Sequence, residues 1–366
     1  MFLALREFRH AKLRYLLIGF IMVLIAWLVL FVTGLAQGLS SDNASSIQNM
    51  KADYLVLQEE SDHRINRSVL TDELWNEVRS HPGGSDAAQL GVHMSTLTQE
   101  GSSTKFDAAF FAIDMEGILA PKVVEGSRIS NTDADVVMAD RSLKDDGYRL
   151  GDRIVDQASG ATFEIAAFTE GQSFSHAPVI HMNFEGWKSL QPGGSKHGTI
   201  YNAIALNGSA EQMQALASDI PGIELVTKKE ALQGIPGFQE EQGSLIMMIV
   251  FLFVIAAFVL AVFFYVITIQ KMNQFGVLKA IGAGTGYLAR NLIFQVLSLT
   301  LVSLAISIGL TYGVSYLLAG VVPFSLTPSV VLLCSLLFLA VSLLGSLLSL
   351  YRVIKIDAIE AIGRAA

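Results

Sequence analysis

The sequence predicts a membrane protein with four transmembrane α-helices, one before and three after a large mixed α and β domain. Apolar residues make up 52% of the 366 residues, and the mean hydropathy is +0.48. Both values suggest a large membrane fraction. Four uncharged stretches are long enough to cross a bilayer, and the long segment between the first two is polar. Because lipid cannot hydrogen-bond with the backbone, the apolar stretches must be helices.

The first predicted span covers residues 15–41 and follows a basic segment at 1–14. A cleavable signal peptide is the alternative interpretation, since Ala36-Gln37-Gly38 resembles a weak cleavage site. The apolar stretch is longer than that of a signal peptide. We therefore expect a retained helix.

The segment 42–243 is predicted to fold as a mixed α and β domain. Apolar or alternating stretches indicate short strands near 135–138, 162–165, 178–182 and 202–206. Ser209 and Gln212 have the spacing of a capping box, which predicts the start of a helix. An apolar stripe predicts a second helix through Leu70, Leu74, Trp75 and Val78.

Three further spans are predicted at 244–269, 291–319 and 329–351. A loop at 270–290 separates the first two of these, and a turn at 320–328 with Pro323 and Pro328 separates the last two. A tail at 352–366 follows. Cys334, the single cysteine, lies within the last span, so no internal disulfide can brace the large domain.

Flanking charge predicts the orientation of these helices in the membrane. The segments 1–14, 270–290 and 352–366 hold ten of the 25 basic residues and three of the 33 acidic ones. Basic flanks face the cytoplasm. We therefore expect cytoplasmic termini, a cytoplasmic loop at 270–290, an external turn at 320–328 and an external domain at 42–243. The absence of disulfides from an exported domain is typical of a bacterial plasma membrane protein.

Chemistry missing from the sequence narrows the function. A phosphate-cradling loop ending in Lys and Ser or Thr is absent, so the chain is not expected to hydrolyse ATP or to act as an enzyme. The four spans contain no ionisable Asp, Glu, His or Arg, which disfavours an ion-coupled transporter. His176 and His181 are spaced to lie on opposite faces of a strand, which disfavours a shared metal site. Energy must then come from a cytoplasmic partner.

The stretch from Lys271 to Ala283 in the cytoplasmic loop has the character of a short amphipathic helix. Phe275, Leu278 and Ile281 are expected on one helical face, with Lys271 and Lys279 available to solvent. Such a helix can lie in the membrane interface as an anchor. Alternatively, it can insert its apolar face into a groove on a partner.

This stretch resembles the signature of the MacB/FtsX-type ABC transporter permeases, in which it contacts the ATPase dimer. The resemblance implies a coupling role for six residues: Phe275, Gly276, Leu278, Lys279, Ile281 and Gly282. Gln274 stands where the family usually has Glu, which removes one expected salt bridge. The tail 352–363 is similar to the family's closing motif, with Ala358 in place of a common Pro.

The resemblance extends over nearly the whole chain. Segments 126–130, 135–138, 151–154 and 162–165 resemble the extracytoplasmic core of these permeases, and the opening 1–7 and the length are most similar to the haem-exporter branch. This implies a homodimer that binds two copies of a separate ABC ATPase and extrudes haem, with no nucleic-acid partner and no intrinsic cofactor. Haem is a flat apolar molecule that dissolves in lipid, which fits uncharged spans.

Candidate haem ligands cluster at the expected outer ends of the first two spans, because haem iron takes Met, Tyr, His or Cys, and a carboxylate is feasible for ferric iron. The nearest candidates are Met50, Glu240, Glu241, Met247 and Met248. Gln37 and Phe31 are expected to line the site, and Tyr312 and Tyr316 are further candidates. For each residue the alternative is packing or interface anchoring. No metal site other than the haem iron is expected.

The sequence leaves alternatives for the dimer contact and for the function. Gly34 with Gly38, and Gly309 with Gly313, have the spacing that lets helices approach closely, and the first pair is a candidate homodimer contact. The cargo could instead be an antibiotic, a peptide or a lipoprotein. The chain could also act as a mechanotransmitter, in which ATP use moves the external domain to regulate a cell-wall enzyme.

Overall fold

The computed structural model describes residues 12–191, 200–318 and 322–354. Parts of the predicted basic segment 1–14, of the turn 320–328 and of the closing motif 352–363 lie outside these residues. The chain divides into two compact units. We call Leu39–Gln242 the inserted domain, and Met1–Gly38 with Gly243–Ala366 the helical unit.

The described residues form ten α-helices. In chain order they are α1 (Lys12–Gln48), α2 (Asp72–Ser80), α3 (Ser142–Asp145), α4 (Phe184–Trp187), α5 (Ala210–Asp219), α6 (Lys228–Gln233), α7 (Phe238–Gln270), α8 (Met272–Ala280), α9 (Thr285–Leu317) and α10 (Pro328–Ile354). Helix α1 is kinked at Ala44, whose φ of −147° is not helical.

Eleven strands are described, all in the inserted domain. They are β1 (Tyr54–Gln58), β2 (Ala88–Gln99), β3 (Lys105–Ala112), β4 (Val123–Gly126), β5 (Val136–Asp140), β6 (Arg153–Asp156), β7 (Thr162–Thr169), β8 (Ser173–Phe174), β9 (Ala177–Met182), β10 (Ala203–Leu206) and β11 (Ile223–Thr227).

Four of the described helices are long and apolar enough to cross a membrane. These stretches are Tyr15–Gln48, Phe238–Gln270, Thr285–Leu317 and Pro328–Leu347. The predicted fold class, with one such helix before and three after an α and β domain, is confirmed. Their shared core includes Met22, Leu260, Phe264, Val296 and Phe338. Within this core, the hydroxyl of Ser307 donates to the carbonyl of Val23 on α1 at 2.9 Å.

Gly34 and Gly38 on α1 pack against the segment that precedes α10. A side chain at Gly34 would overlap the ring of Phe324, and one at Gly38 would overlap the carbonyl of Pro323. The amide of Ser325 donates to Gly34 O at 3.1 Å. Segment 323–325 of the same chain therefore fills the face of these glycines, and their role as a homodimer contact stays a prediction. A Cβ at Gly309 or Gly313 meets no atom of the described residues within 4 Å.

The inserted domain is built on one mixed sheet with the order β11-β1-β10-β2-β3-β9-β5-β7-β4. Most pairs are antiparallel, but β3 with β9 and β5 with β7 are parallel. The predicted strands near 135–138, 162–165, 178–182 and 202–206 are confirmed as β5, β7, β9 and β10. The capping box of Ser209 and Gln212 is also confirmed and opens α5. The parallel register places Phe111 on β3 beside His181 on β9, which positions the cavity described below.

Candidate functional site

Glu241 is the candidate haem ligand with the most contacts. Its Oε2 accepts a hydrogen bond from Asn43 Nδ2 at 2.7 Å and lies 3.4 Å from His176 Nε2. His176 also contacts Asp42 through Nδ1 at 3.0 Å. The other carboxylate oxygen of Glu241 is buried and has no partner among the described residues. Glu241 therefore combines a structural contact with one oxygen that could accept a ligand.

The turn between β8 and β9 brings His176 to this carboxylate. Ser175 and His176 both have positive φ, 53° and 59°, a conformation that residues with a side chain adopt rarely. The Ser175 amide donates to Asn43 O at 2.7 Å, and the Ser173 amide donates to Ser45 Oγ at 2.9 Å. These bonds to α1 hold the strained turn in place.

Met50 and Glu240, the other candidates in the inserted domain, have different surroundings. Met50 is half-buried and lines a cavity of the inserted domain, and its carbonyl accepts a bond from Lys228 Nζ at 2.7 Å. Glu240 is exposed. Glu241 is not among the residues that line the cavity beside Met50.

The candidates in the helical unit divide into packed and exposed residues. Phe31 stacks on Phe324 with 5.6 Å between ring centroids, and Gln37 Nε2 donates to Thr327 Oγ1 at 3.3 Å. Both therefore pack against the segment before α10. The exposed candidates are Met247, Met248, Tyr312 and Tyr316.

An apolar cleft of about 640 Å³ lies between α1 and α9, within the size range of ligand pockets. Gly19, Phe20 and Val23 line one wall, and Leu299, Val302 and Ile306 line the other. Beyond the general apolarity of both helices, no sequence pattern predicts this cleft. Its lining suits an apolar molecule or a lipid chain.

The predicted coupling surface is partly covered by the chain itself. Phe275 on α8 is 1% exposed and packs against Leu288 and Leu292 of α9. Gly276 is buried as well, and Leu278 and Lys279 are half-buried. The expectation that Phe275 belongs to an open apolar face is wrong, because α9 folds over it.

Two large apolar side chains at α8 and its C-terminal end remain exposed, Val277 at 55% and Ile281 at 76%. Gly282 follows with a φ of +98°, which ends the helix in a left-handed conformation favoured by glycine. Ile281 is more exposed than the predicted coupling side chains of Phe275, Leu278 and Lys279. A partner can therefore reach Ile281 without unfolding α8.

Lys271 was expected in solvent and is instead 4% exposed. Its Nζ donates to Gln295 Oε1 at 3.0 Å and lies 5.4 Å from the centre of the Tyr15 ring. The residue follows α7 directly, and its long side chain turns inward, where an amide oxygen and an aromatic face stabilise the ammonium. Lys271 thus connects three helices at one end of the helical unit.

His176 and His181 do not share a site, as predicted from their spacing. His176 is ion-paired at the surface, whereas His181 is 2% exposed. Burial lowers the pKa of His181 from 6.5 to about 3, so the imidazole is neutral. Its buried Nδ1 has no hydrogen-bond partner among the described residues.

The part of the chain that the structure describes contains no group of three or more His, Cys, Asp or Glu residues placed to hold a metal ion. Haem iron needs one or two protein ligands, so this finding does not bear on a haem site.

Comparison with known proteins identifies full-length relatives. Residues 246–358 match the family described as FtsX-like permease C-terminal. The chain is 32% identical over 363 residues to the hemin transport system permease HrtB of Staphylococcus haemolyticus (strain JCSC1435), covering 99% of each chain. It is 29% identical over 361 residues to HrtB of Staphylococcus epidermidis (strain ATCC 12228 / FDA PCI 1200), again covering 99% of each.

More distant relatives have the same coverage. An uncharacterised ABC transporter permease of Mycobacterium tuberculosis (strain ATCC 25618 / H37Rv) is 23% identical over 365 residues, covering 99% of each chain. Among solved structures, the periplasmic region of MacB from Actinobacillus actinomycetemcomitans aligns with 51% of this chain and 93% of its own. The TM-score of that alignment is 0.38 and the identity 13%.

Proposed function

The chain belongs to the FtsX-like family of ABC transporter permeases, and from this premise we propose that it extrudes haem from the membrane using ATP hydrolysed by a separate subunit. The observation that carries the cargo assignment is the 32% identity over 99% of the chain to a permease named for hemin transport. A similarity that includes the inserted domain and all four apolar helices favours a shared cargo class over a shared scaffold alone.

The energy source follows from what the chain lacks. No glycine-rich phosphate loop ending in Lys and Ser or Thr occurs in the sequence. The predicted spans hold no Asp, Glu, Lys, Arg or His that could carry a coupling proton. A separate ABC ATPase, acting as a dimer, would supply the free energy. We propose that it binds at the exposed residues of the 270–290 loop, with Ile281 as the apolar contact and the half-buried Lys279 beside it.

Haem can reach such a permease from the lipid. Its macrocycle is apolar, and the cleft between α1 and α9 has apolar walls and about 640 Å³ of space. Haem iron takes nitrogen, sulfur or oxygen ligands. Met50 and Glu241 remain our proposed ligands, and Glu240, Met247 and Met248 lie near Glu241 in sequence. The buried free oxygen of Glu241 supports this assignment.

We further propose a homodimer in a bacterial plasma membrane, with cytoplasmic termini and the inserted domain outside. The asymmetry of charge supports the orientation, because ten basic and three acidic residues lie in the segments assigned to the cytoplasm. Haem would then leave on the side of the inserted domain.

The test is transport by the reconstituted complex. Vesicles that contain the permease and its ATPase are loaded with haem, and ATP-dependent transfer to apomyoglobin is followed by the Soret absorbance. We expect transfer to require both ATP and the permease. A matched complex with a catalytically inactive ATPase is the control. Haem that stays in vesicles holding an active, ATP-hydrolysing complex would contradict the proposal.

Export of a different hydrophobic cargo is the second candidate. The mycobacterial permease with 23% identity also aligns over 99% of each chain, and its name states no cargo. Alignment over the whole chain therefore does not by itself identify the cargo. ATPase activity of the complex measured against haem, an amphiphilic antibiotic and a lipopeptide separates the candidates. Stimulation by haem alone supports the first proposal.

A further inference from the structure

The cavity beside Met50 lies wholly within the inserted domain and has a volume of about 490 Å³, which is in the range of small-molecule sites. Leu90, Phe111 and His181 of the sheet line it, and Met50 lies on the side where α1 ends. Its wall is therefore part apolar and part polar. None of the coupling residues contributes to it.

His181 gives this cavity a chemical character that packing alone does not explain. The imidazole lies beside the ring of Phe111, with 6.0 Å between centroids. Its Nδ1 is buried and has no hydrogen-bond partner among the described residues. A native interior rarely leaves a nitrogen in this state unless a ligand or an ordered water completes it. Because burial keeps the ring neutral, no proton has to leave before a nitrogen lone pair binds a metal.

The charges around the cavity are opposite to those of the domain. Of the chain's charged residues, 15 basic and 30 acidic ones lie in 42–243. The cavity is nevertheless lined by three cations, Lys51, Lys122 and Arg128, against one carboxylate, Glu170. All three cations are exposed, so they can reach a carboxylate on a bound molecule.

We propose that this cavity is a haem-binding site in the inserted domain, in which His181 coordinates the iron and the cations Lys51, Lys122 and Arg128 pair with the propionates. Haem has a flat apolar ring, a metal that binds imidazole and two carboxylates. These features match the apolar side chains, the His181 imidazole and the three cations that line the cavity. The inference rests on haem being the cargo. It places haem in the inserted domain, beside Met50 and apart from Glu241, after it leaves the lipid.

The experiment uses the full-length chain in lipid nanodiscs, titrated with ferric haem and followed by Soret absorbance and electron paramagnetic resonance. We expect an imidazole-coordinated component in the wild type that His181→Leu removes, while the remaining haem binding persists. Metal-free protoporphyrin serves as a second probe. It should bind the wild type and His181→Leu equally, because it has the propionates and lacks the iron.

The pairing of the cations with the propionates is tested separately with two matched variants. Lys122→Glu should weaken binding of both haem and protoporphyrin by about tenfold, since it sets a negative charge against a propionate. Lys105→Glu makes the same change at an exposed position of β3 that does not line the cavity, and it should leave binding unchanged. This pair decides the question even where His181→Leu fails to fold.

Each outcome has a distinct meaning. If the wild type and His181→Leu bind haem with the same spectrum, and the variant keeps its melting temperature, the cavity site is overturned. The proposed haem cargo is not affected by that result. Equal binding by Lys122→Glu and Lys105→Glu overturns it as well. A wild-type chain that binds no haem overturns both the cavity site and the proposed cargo.

Discussion

Asn43 donates a hydrogen bond to Glu241 at 2.7 Å, which joins the last turns of α1 to the first turn of α7. His176 contacts Glu241 and Asp42, and it belongs to the turn between β8 and β9. We call these four residues the helix-end cluster. Because Glu241 holds this cluster together, a change at Glu241 acts on the helix ends as well as on any ligand.

Glu241→Gln separates the two roles of this side chain. The amide oxygen of Gln can still accept from Asn43, whereas the negative charge that would bind ferric iron is lost. We expect the haem-induced Soret shift to diminish and cellular haem tolerance to fall several-fold. The free energy of unfolding should fall by about 1 kcal/mol, because a charged hydrogen bond becomes a neutral one.

Asn43→Leu is the reciprocal variant, because it removes the hydrogen bond and keeps the carboxylate. It should lower the melting temperature more than Glu241→Gln, since Asn43 is 1% exposed and its loss leaves Glu241 with one contact fewer. The Soret shift should be retained. Equal loss of haem binding in both variants would mean that Glu241 positions the helix ends and does not bind iron.

Ile281→Asp tests the coupling surface. Ile281 is 76% exposed, so a charge there should leave the fold intact. It should also put an unpaired ion into the contact with the ATPase, which costs several kcal/mol when buried. We expect co-purification of the ATPase to drop at least tenfold, with an unchanged melting temperature. Normal co-purification of this variant would remove Ile281 from the interface.

Phe275→Ala is the contrasting variant on the same helix. Phe275 is buried against Leu288 and Leu292, so truncation leaves a cavity and should destabilise the chain by about 3–5 kcal/mol. We expect a lower melting temperature and a loss of ATPase binding that follows the loss of folded protein. A stable Phe275→Ala chain that fails to bind the ATPase would place Phe275 in the interface after all.

A third prediction concerns the two glycine pairs. Gly38→Leu would force a side chain into the carbonyl of Pro323, so we expect poor folding in detergent. At Gly309 an added Cβ meets no atom of the described residues within 4 Å, so we expect the fold to persist in Gly309→Leu. If the proposed homodimer uses that face of α9, cross-linking between copies should fall in Gly309→Leu. Unchanged cross-linking would move the dimer contact to another helix.

The fold class was predictable because its signals are local. Uncharged stretches specify the four spans, and alternation specified strands such as β7. Strand β3 had no such signal, since Ala108, Ala109 and Ala112 favour a helix by intrinsic propensity. Its pairing with β2 and β9 decides its conformation, and that pairing depends on residues far away in sequence.

The candidate sites were less predictable because their contacts join residues that are far apart in sequence. Helical spacing placed Phe275 and Ile281 on one stretch, but only the return of α9 determines that Phe275 is covered and Ile281 is not. Lys271 is a charged residue whose partner, Gln295, lies on another helix. The cavity at His181 requires β3 beside β9, a parallel pairing that no local pattern indicates.

The last prediction is an acid-sensitive inserted domain. The pKa of His181 is about 3 in the folded domain and about 6.5 when unfolded. Below pH 6.5 His181 therefore binds a proton in the unfolded chain but not in the folded domain. The free energy of unfolding is unaffected by this group above pH 6.5 and falls as the pH drops towards 3. Between pH 7.5 and 5.5 this linkage should lower the free energy of unfolding by about 1.4 kcal/mol.

Urea unfolding followed by the fluorescence of Trp75 and Trp187, both in the inserted domain, measures this effect at the two pH values. His181→Leu should lose this part of the pH dependence. Burial also raises the pKa of Asp140, which favours the folded state as the pH falls and so acts in the opposite direction. The difference between wild type and His181→Leu isolates the histidine, because Asp140 is present in both. Parallel pH profiles in the two proteins would show that His181 accepts a proton in the folded domain, which requires water or another partner at its buried nitrogen.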